Sequence, residues 1–591
     1  MEKTKWMVAQ KKADFKALSE KYNIDPVIAR IIRNRNLSTE EEYDMFLNGD
    51  MSMLHDPLGM KDMREAVEIL REKISSGKSI RIIGDYDVDG ICATFILLRS
   101  IRALGGTVDT VIPNRITDGY GLNESMIDAA CNDGIDTILT CDNGIAAFTQ
   151  IQKAKDLGMT VVVTDHHEVP FEEKDGEIKY ILPPADAVVD PKRADCFYPY
   201  SNICGAFIAF KLASLLLDGD YPLIIEELIP FAAMATVCDV MDLLDENRII
   251  VKEGIRLMEA EPINVGLKAL VIATGLSQKK ITSFCFGFVL GPTINATGRL
   301  DTAQRAMSLF DAADFKEAAV IATELKQLND ERKKLTEDGV AMAIETIEAS
   351  EAVNDRVLVV YLNGIHESLA GIIAGRIKEK YYKPTIVLTD AEEGIKGSAR
   401  SIESYDMFAK LSEVKDLFTK FGGHKMAAGL SLASLEDVEK LRYRLNERCE
   451  LSDADLTQVV HVDMAMPLSY ADFRLVKSMD VIEPTGTANP RPLFATANIS
   501  LISYEKKGKN RVIGKFVVAD ETGRKYDVIS FEDMDQFDSF IIEKFGREKY
   551  MLLCAGRLNV NDMVIKMVYY PDINEFNNRV NLQHVMKYVD V

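Results

Sequence analysis

The chain has little that would tie it to a membrane or to a secreted scaffold. No apolar run approaches the roughly 20 residues needed to span a bilayer. Its opening stretch, MEKTKWMVAQKKADFK, is charged throughout and has no apolar centre, so no signal peptide is expected. The nine cysteines fall singly, with neither a CxxC pair nor zinc-like spacing. That pattern excludes a disulfide framework and suits a reducing, cytoplasmic setting. No internal repeat or low-complexity tract is present, which excludes solenoids and arrays. Positive charge is in short supply: 92 acidic residues against 70 basic ones give a formal net charge of −22. Dedicated nucleic-acid binders are usually basic, so this balance counts against that class without excluding it. Carboxylates that hold divalent cations add negative charge that the ions offset locally. Basic residues also bunch in EKKGKNRVIGK (505–515).

What is present is length and ordinary globular composition. With 591 residues, 47% hydrophobic and 27% charged, the chain exceeds a single core and predicts three or four domains. From about residue 78, short β-branched runs alternate with helical segments. Strands are expected at 80–84, 108–113, 136–141, 160–164 and 187–189, with helices at 91–104, 124–132 and 146–157. Such alternation reads as an α/β fold with a parallel sheet, in which ligands bind beyond the carboxyl ends of the strands. Residues 205–345 read as mainly helical, and 315–335 continues through 341–347 either as one long helix joining two lobes or as two surface helices. A second α/β pattern follows, with strands at 357–362 and 384–389 and a helix at 435–448. The tail from about 459 alternates strands and turns (511–520, 525–531 and 551–557), which suggests a small barrel. The apolar stripe at 27–32 of the N-terminal segment is expected to brace the first lobe or to contact a partner.

Three acidic and histidine clusters close successive expected strands: DYDVDG (85–90), TCDNG (140–144) and TDHH (164–167). A fourth carboxylate, Asp239, sits in the helix-like run ATVCDVMDL. Alone, DxDxDG is also a solvated turn or a calcium loop, and paired histidines are common on surfaces and in cores. Together at strand ends they point to a metal site. Asp87 and Asp89 can converge on neighbouring ions, and Gly90 removes a side chain that would block their approach. Carboxylates with few imidazoles favour Mn²⁺ or Mg²⁺. Cys141 adjoins Asp142, but neighbouring strand residues face opposite ways, so Cys141 belongs to the core; Cys238 is left out of the ligand set as well. Two ions activating a water and stabilising a phosphoryl oxygen imply phosphoester hydrolysis.

In order, these clusters resemble the four motifs of the DHH phosphoesterase superfamily. PNRITDGYGL (113–122), GPTINATGRL (291–300), KGSARS (396–401) and FGGHKMAAG (421–429) resemble its RecJ branch, single-stranded-DNA exonucleases, and the match is collinear from about 80 to 430. The resemblance implies an N-terminal segment (1–50), a DHH catalytic domain (51–245), a helical connector (246–350), a DHHA1-type substrate-binding domain (351–452) and a C-terminal OB-like β-barrel (453–591). It implies Asp87, Asp89, Asp142, His166 and Asp239 as ligands of two divalent ions, Mn²⁺ preferred and Mg²⁺ accepted, with Asp142 and Asp239 bridging. Asp85 is a ligand or lies just outside the ligand shell, and Asp165 orients His166. His167 faces the scissile phosphate, and His424 stabilises it from the second lobe. Arg115, Arg299, Ser398, Arg400, Gly422 and Gly423 are implied to bind DNA phosphates. In the barrel, Lys506, Lys507, Lys509, Arg511 and Lys515, with Tyr504 and Phe516 as stacking groups, are the candidate contacts, against the alternative of a solvated hairpin.

The implied activity is 5′-to-3′ hydrolysis of single-stranded DNA to 5′-mononucleotides in repair and recombination. The chain would act as a monomer, beside a helicase and a single-strand-binding protein. Two stretches depart from the RecJ pattern. GIHESLAGIIAGRI (364–377) has Ile365 in place of the usual tryptophan and Glu367 and Ser368 in place of glycines, and PTGTANPRP (484–492) stands where the family is usually rich in phenylalanine and glycine before Asn-Pro. Both bear on the grip on DNA rather than on the metal site. Two alternatives are a DHH phosphodiesterase of short oligonucleotides or cyclic dinucleotides, which lacks the connector and barrel, and a non-catalytic scaffold, which loses the ligands retained here.

Overall fold

A computed structural model of the chain describes residues 4–114, 121–174, 177–261, 263–391, 394–508, 512–576 and 579–591. Two compact units emerge. One comprises residues 48–451 with 486–488; the other comprises 1–47, 452–485 and 489–591.

The larger unit begins with a five-stranded, wholly parallel sheet. Its strands are β1 (Ser79–Ile83), β2 (Thr107–Val111), β3 (Thr137–Cys141), β4 (Thr160–Thr164) and β5 (Ala187–Val189), in the order β2-β1-β3-β4-β5. The isoleucine, valine and threonine of the central strands are buried on both faces, as a sheet covered on two sides requires. Helix α1 (Val88–Ala103) follows β1, α2 (Glu124–Asn132) follows β2 and α3 (Phe148–Asp156) follows β3. Buried almost all round, α1 lies between the sheet and two further apolar helices, α4 (Gly205–Leu217) and α5 (Pro222–Cys238).

The stretch expected from 315 through 347 is one continuous helix, α6 (Phe315–Glu348), capped by Asp314, whose side chain accepts from the Glu317 amide. Its buried stripe, Ala318, Ala322, Leu325, Asn329, Thr336, Gly339, Ala343 and Ile347, keeps helical spacing from end to end. Ala318, Ala322 and Leu325 enter the core of the first lobe, while Ala343 and Ile347 enter that of the second. The long-helix alternative is therefore the one realised. The second lobe holds a mixed sheet of β6 (Leu358–Tyr361), β7 (Thr385–Asp390), β8 (Ile395–Arg400), β9 (Phe418–His424) and β10 (Ala427–Leu432), in the order β9-β10-β8-β7-β6. Only β6 and β7 are parallel. Helix α7 (Ala370–Tyr381) packs on β7 and β8.

In the smaller unit, strands Phe494–Lys507, Ile513–Ala519, Lys525–Ser530, Arg579–Asp590 and Val564–Phe576 close into a barrel, because the first also pairs with the last. The strand expected at 551–557 is instead the end of helix Arg547–Cys554 and its turn. No β-branched residue occurs between 547 and 557, and Met551, Leu552 and Leu553 are good helix formers. The N-terminal segment also departs from expectation. Strand Thr4–Val8 pairs in parallel with Gln458–Val462, and helix Pro26–Asn34, whose apolar stripe is buried, belongs to this unit.

Candidate metal centre and phosphate pocket

The loop after β1 turns back on itself at Gly90, where a Cβ would lie 2.5 Å from the Asp85 amide nitrogen. Asp87 caps α1, accepting from the amides of Asp89 (2.9 Å) and Gly90 (3.1 Å). Asp89 reaches the other way: its two oxygens accept from the amides of Gly205 and Ala206, 2.7 Å each, at the start of α4. A carboxylate at a helix N-terminus gains from the exposed amides there, so α4 fixes the height of Asp89. From the connector, Asn295 Oδ1 accepts from the Val88 amide at 3.1 Å, and Gly298 lies so close that a Cβ would stand 2.7 Å from the Tyr86 carbonyl.

Asp142 follows β3 in a left-handed conformation (φ 60°) that turns its carboxyl back toward this loop. Asp239 terminates α5. His166 brings the elements together: Nε2 stands 3.1 Å from Asp142 Oδ1, 3.5 Å from Asp89 Oδ2 and 3.7 Å from Asp239 Oδ2. Three overlapping sets place their ligand-capable atoms within 4.8 Å of one another: Asp142, His166 and His167; Asp89, His166 and Asp239; and Asp85, Asp87 and Asp142. The expected orienting role of Asp165 is redirected. Its Oδ1 lies 2.7 Å from Nδ1 of His167, not on the His166 ring, while Oδ2 accepts from the Ile145 amide at 2.9 Å. A carboxylate that serves the second histidine of a pair cannot be told from sequence, because the choice rests on ring orientation.

Burial, followed by the charges of Asp89, Asp87 and Asp85, pushes the Asp142 carboxyl far above the carboxylate range. Burial and then Asp89 raise Asp87, and burial with Asp89 and Asp87 lifts Asp239 to about 8. His166 is lowered by burial and so is held neutral, the form that ligates. Burial works against charge on His167 too, but the Asp165 hydrogen bond and charge overcome it and raise His167 to about 9. Asp239 Oδ2 and His166 Nδ1 are buried without a hydrogen-bond partner among the described residues. Crowded carboxylates, orphaned buried ligand atoms and a neutral imidazole together fit a divalent cation. Both neighbouring thiols are turned away: Cys141 is buried 3.4 Å from Thr94 Oγ1, and Cys238 donates to the Phe286 carbonyl.

The second lobe contributes a pocket of about 450 Å³ lined by Arg299, Glu367, Lys396, Ser398, Arg400 and Lys420, with Gly422 on its rim. Arg299 donates to the Ser368 carbonyl at 2.6 Å, and Arg400 donates to Ser398 Oγ (3.0 Å) and the Ala399 carbonyl (2.7 Å). Gly371, in the first turn of α7, permits this: a Cβ there would meet Arg400 Nη2 at 2.8 Å and Ser398 Oγ at 2.9 Å. Cations and a helix N-terminus facing one cavity make an anion site. Gly423 and His424 end β9 outside the pocket lining, both exposed; Gly423 has φ 149°, with the Ala427 carbonyl 2.4 Å from a Cβ position.

In the barrel the expected stacking groups are core. Tyr504 and Phe516 are buried and stack on each other with centroids 4.8 Å apart, beside Phe537. Lys506 pairs with Asp535 and Asp538, and Lys507 with Glu505, while Lys515 is exposed on Ile513–Ala519. Arg115, Lys509 and Arg511 lie outside the described residues. Sequence reasoning missed Gly205, Asn295, Gly298 and Gly371, which hold or admit functional groups. It also missed Asp190, a fully buried carboxyl at the end of β5 that burial and then Asp165 push up to about 8. For Asn295 and Gly298 a signal was available, since both fall within GPTINATGRL.

Comparison with known proteins places three domain families along the chain. The DHH family N-terminal domain matches residues 79–236, the DHHA1 domain 354–451 and the RecJ OB domain 462–588. The single-stranded-DNA-specific exonuclease RecJ of Bacillus subtilis (strain 168) is 34% identical over 590 residues, covering 99% of this chain and 70% of its own length. That of Escherichia coli (strain K12) is 33% identical over 496 residues, covering 80% of this chain and 83% of its own length. The crystal structure of RecJ in complex with Mn²⁺ from Thermus thermophilus shares the fold at a TM-score of 0.80 and 24% identity, over 99% of this chain and 79% of that one. A structure of exonuclease RecJ bound to manganese aligns at a TM-score of 0.57 and 30% identity, over 67% of this chain and 98% of that one. With the DHH, DHHA1 and RecJ OB domains each matched in chain order, and the Bacillus subtilis and Escherichia coli RecJ proteins more than 30% identical over most of the chain, the chain belongs to the RecJ family.

Proposed function

We propose that the chain is a single-stranded-DNA-specific exonuclease that hydrolyses terminal phosphodiesters from the 5′ end, releasing 5′-mononucleotides, with two divalent ions and a preference for Mn²⁺. The observation that carries this reading is Asp142, which belongs to the set with Asp85 and Asp87 and also lies 3.1 Å from Nε2 of His166, the imidazole of the set with Asp89 and Asp239. One carboxylate reaching two adjoining sets suits a pair of ions. When bound, such ions supply an activated water and offset charge on the phosphoryl oxygens.

The chain's own residues do the rest. Asp165 holds His167 charged and oriented, so that its ring can donate to a non-bridging phosphate oxygen. Arg299 and Arg400 position the following phosphates in the second-lobe pocket, and His424 offers a ring N–H donor from the end of β9. Gly422 leaves the rim open to close approach of a backbone phosphate. The free state of all nine cysteines supports a cytoplasmic setting, and among the described residues no helix is long and apolar enough to cross a membrane. Family resemblance supports monomeric action in repair and recombination with a helicase and a single-strand-binding protein.

The test is Mn²⁺-dependent digestion of single- and double-stranded oligonucleotides labelled at either end, beside an Asp142→Ala control. Stepwise loss from the 5′ end of the single strand only, absent in the control, is expected. Cleavage confined to dinucleotides would overturn the substrate, and loss from the 3′ end the polarity.

A further inference from the structure

We propose that Glu367 is a built-in competitor for Lys396 in the second-lobe pocket, and that this competition sets the strength and salt dependence of the grip on single-stranded DNA. The inference rests on the pocket being the DNA-phosphate site. Its lining is otherwise cationic: Arg299, Lys396, Arg400 and Lys420 face a cavity in which Glu367 is the sole acid among the described residues. Lys396 Nζ lies 2.9 Å from Glu367 Oε2. That oxygen has no well-aligned hydrogen bond, so the contact is one of charge.

The two partners differ in freedom. The Glu367 side chain is 18% exposed and opens the short turn Glu367–Leu369 that leads into α7, whose N-terminal end favours a carboxylate. Lys396 is 47% exposed and sits at the end of a flexible stem on β8. A phosphate that reaches Lys396 must therefore displace a carboxylate held in place by its own turn. Binding there is an exchange of anions, so Lys396 contributes less than a full phosphate neutralisation.

Counterion release makes this measurable. For single strands, log K falls with log[salt] by about 0.7 for each phosphate neutralised. Binding of a 3′-labelled oligo-dT is followed by fluorescence anisotropy across a salt series, in an Asp142→Asn background that prevents digestion. Glu367→Gln is expected to tighten binding by about two- to fivefold at low salt, the size of a partly exposed charge pair, and to steepen the salt slope by up to about 0.7. Lys396→Gln alone should weaken binding, because it leaves Glu367 facing the phosphates. The Glu367→Gln/Lys396→Gln double variant should recover most of that loss, an outcome that a misfolded pocket could not give. DNA binding with an unchanged slope in Glu367→Gln, or no recovery in the double variant, would overturn this inference alone. Absence of DNA binding in the parent as well would overturn the pocket's assignment, and this inference with it.

Discussion

Carboxylates that sit within 4.8 Å of one another cannot all be ionised comfortably in a protein interior, and the metal-free site carries that cost. Asp239 shows which way it runs. Its folded value of about 8 lies above the roughly 3.9 of an unfolded aspartate, so the folded chain binds the extra proton. Stability from this group is therefore greatest at low pH and is lost as pH rises from about 4 through about 8. Without metal, Asp239→Asn should melt a few degrees above the parent at pH 8, and the gap should shrink toward pH 5. Adding Mn²⁺ should reverse the order at pH 8, because a ligand that binds only the folded parent stabilises it by mass action. Thermal melts in EDTA and in Mn²⁺ at the two pH values check this; a variant that melts with the parent under every condition would contradict the electrostatic account. At this scale the sequence was informative about residue types and blind to pairings. Four proposed ligands were legible in clusters at strand ends and the fifth, Asp239, in a helical run, whereas the choice of His167 over His166 by Asp165 depends on a ring orientation that no spacing encodes.

Regular elements were legible wherever local pattern and tertiary burial agree. The isoleucine, valine and threonine runs of β1, β3, β4 and β5 have strand propensity and are buried on both faces, so composition and environment point the same way. The segment 551–557 failed because a short apolar run carries no period that separates strand from helix. The basic hairpin failed differently: Tyr504 alternates correctly along its strand, but the side on which the barrel closes decides that it faces Phe516 and Phe537. Helix α7 offers a prediction that separates fold from function. Gly371→Ala should leave stability unchanged or raise it by up to about 1 kcal/mol, since alanine is the better helix former. Its Cβ would nevertheless displace the Arg400 guanidinium and Ser398 hydroxyl, which stand 2.8 and 2.9 Å from that position. Affinity for single-stranded DNA should fall by about tenfold, the weight of a charge-assisted hydrogen bond. Melting temperature and DNA affinity measured together test this, and a loss of both would mean that the glycine serves the helix instead.

For the whole molecule, the least legible feature is that the N-terminal 47 residues belong with the C-terminal barrel unit. Nothing local announces that Thr4–Val8 will pair with Gln458–Val462, because strand pairing over such a separation is set by the complete fold. Arg35 makes the association specific. Its Nη1 lies 2.7 Å from Asp463 Oδ1, with both side chains 6% exposed, and Nη2 donates to the Pro490 carbonyl at 2.7 Å. Asp463 also accepts from Asn34 Nδ2 (3.1 Å) and the Leu493 amide (3.1 Å). Removing one partner of such a pair leaves a buried charge uncompensated, at a cost of about 3–5 kcal/mol, whereas removing both costs much less. Arg35→Ala should therefore lower the unfolding free energy of this unit by that amount, and Arg35→Ala/Asp463→Ala should regain a substantial part of it. Denaturant unfolding followed through Trp6, the chain's single tryptophan and a residue of the Thr4–Val8 strand, reports on this unit directly. A single variant that costs less than about 1 kcal/mol would show that the N-terminal segment is held by its apolar stripe alone and that the ion pair only selects its register.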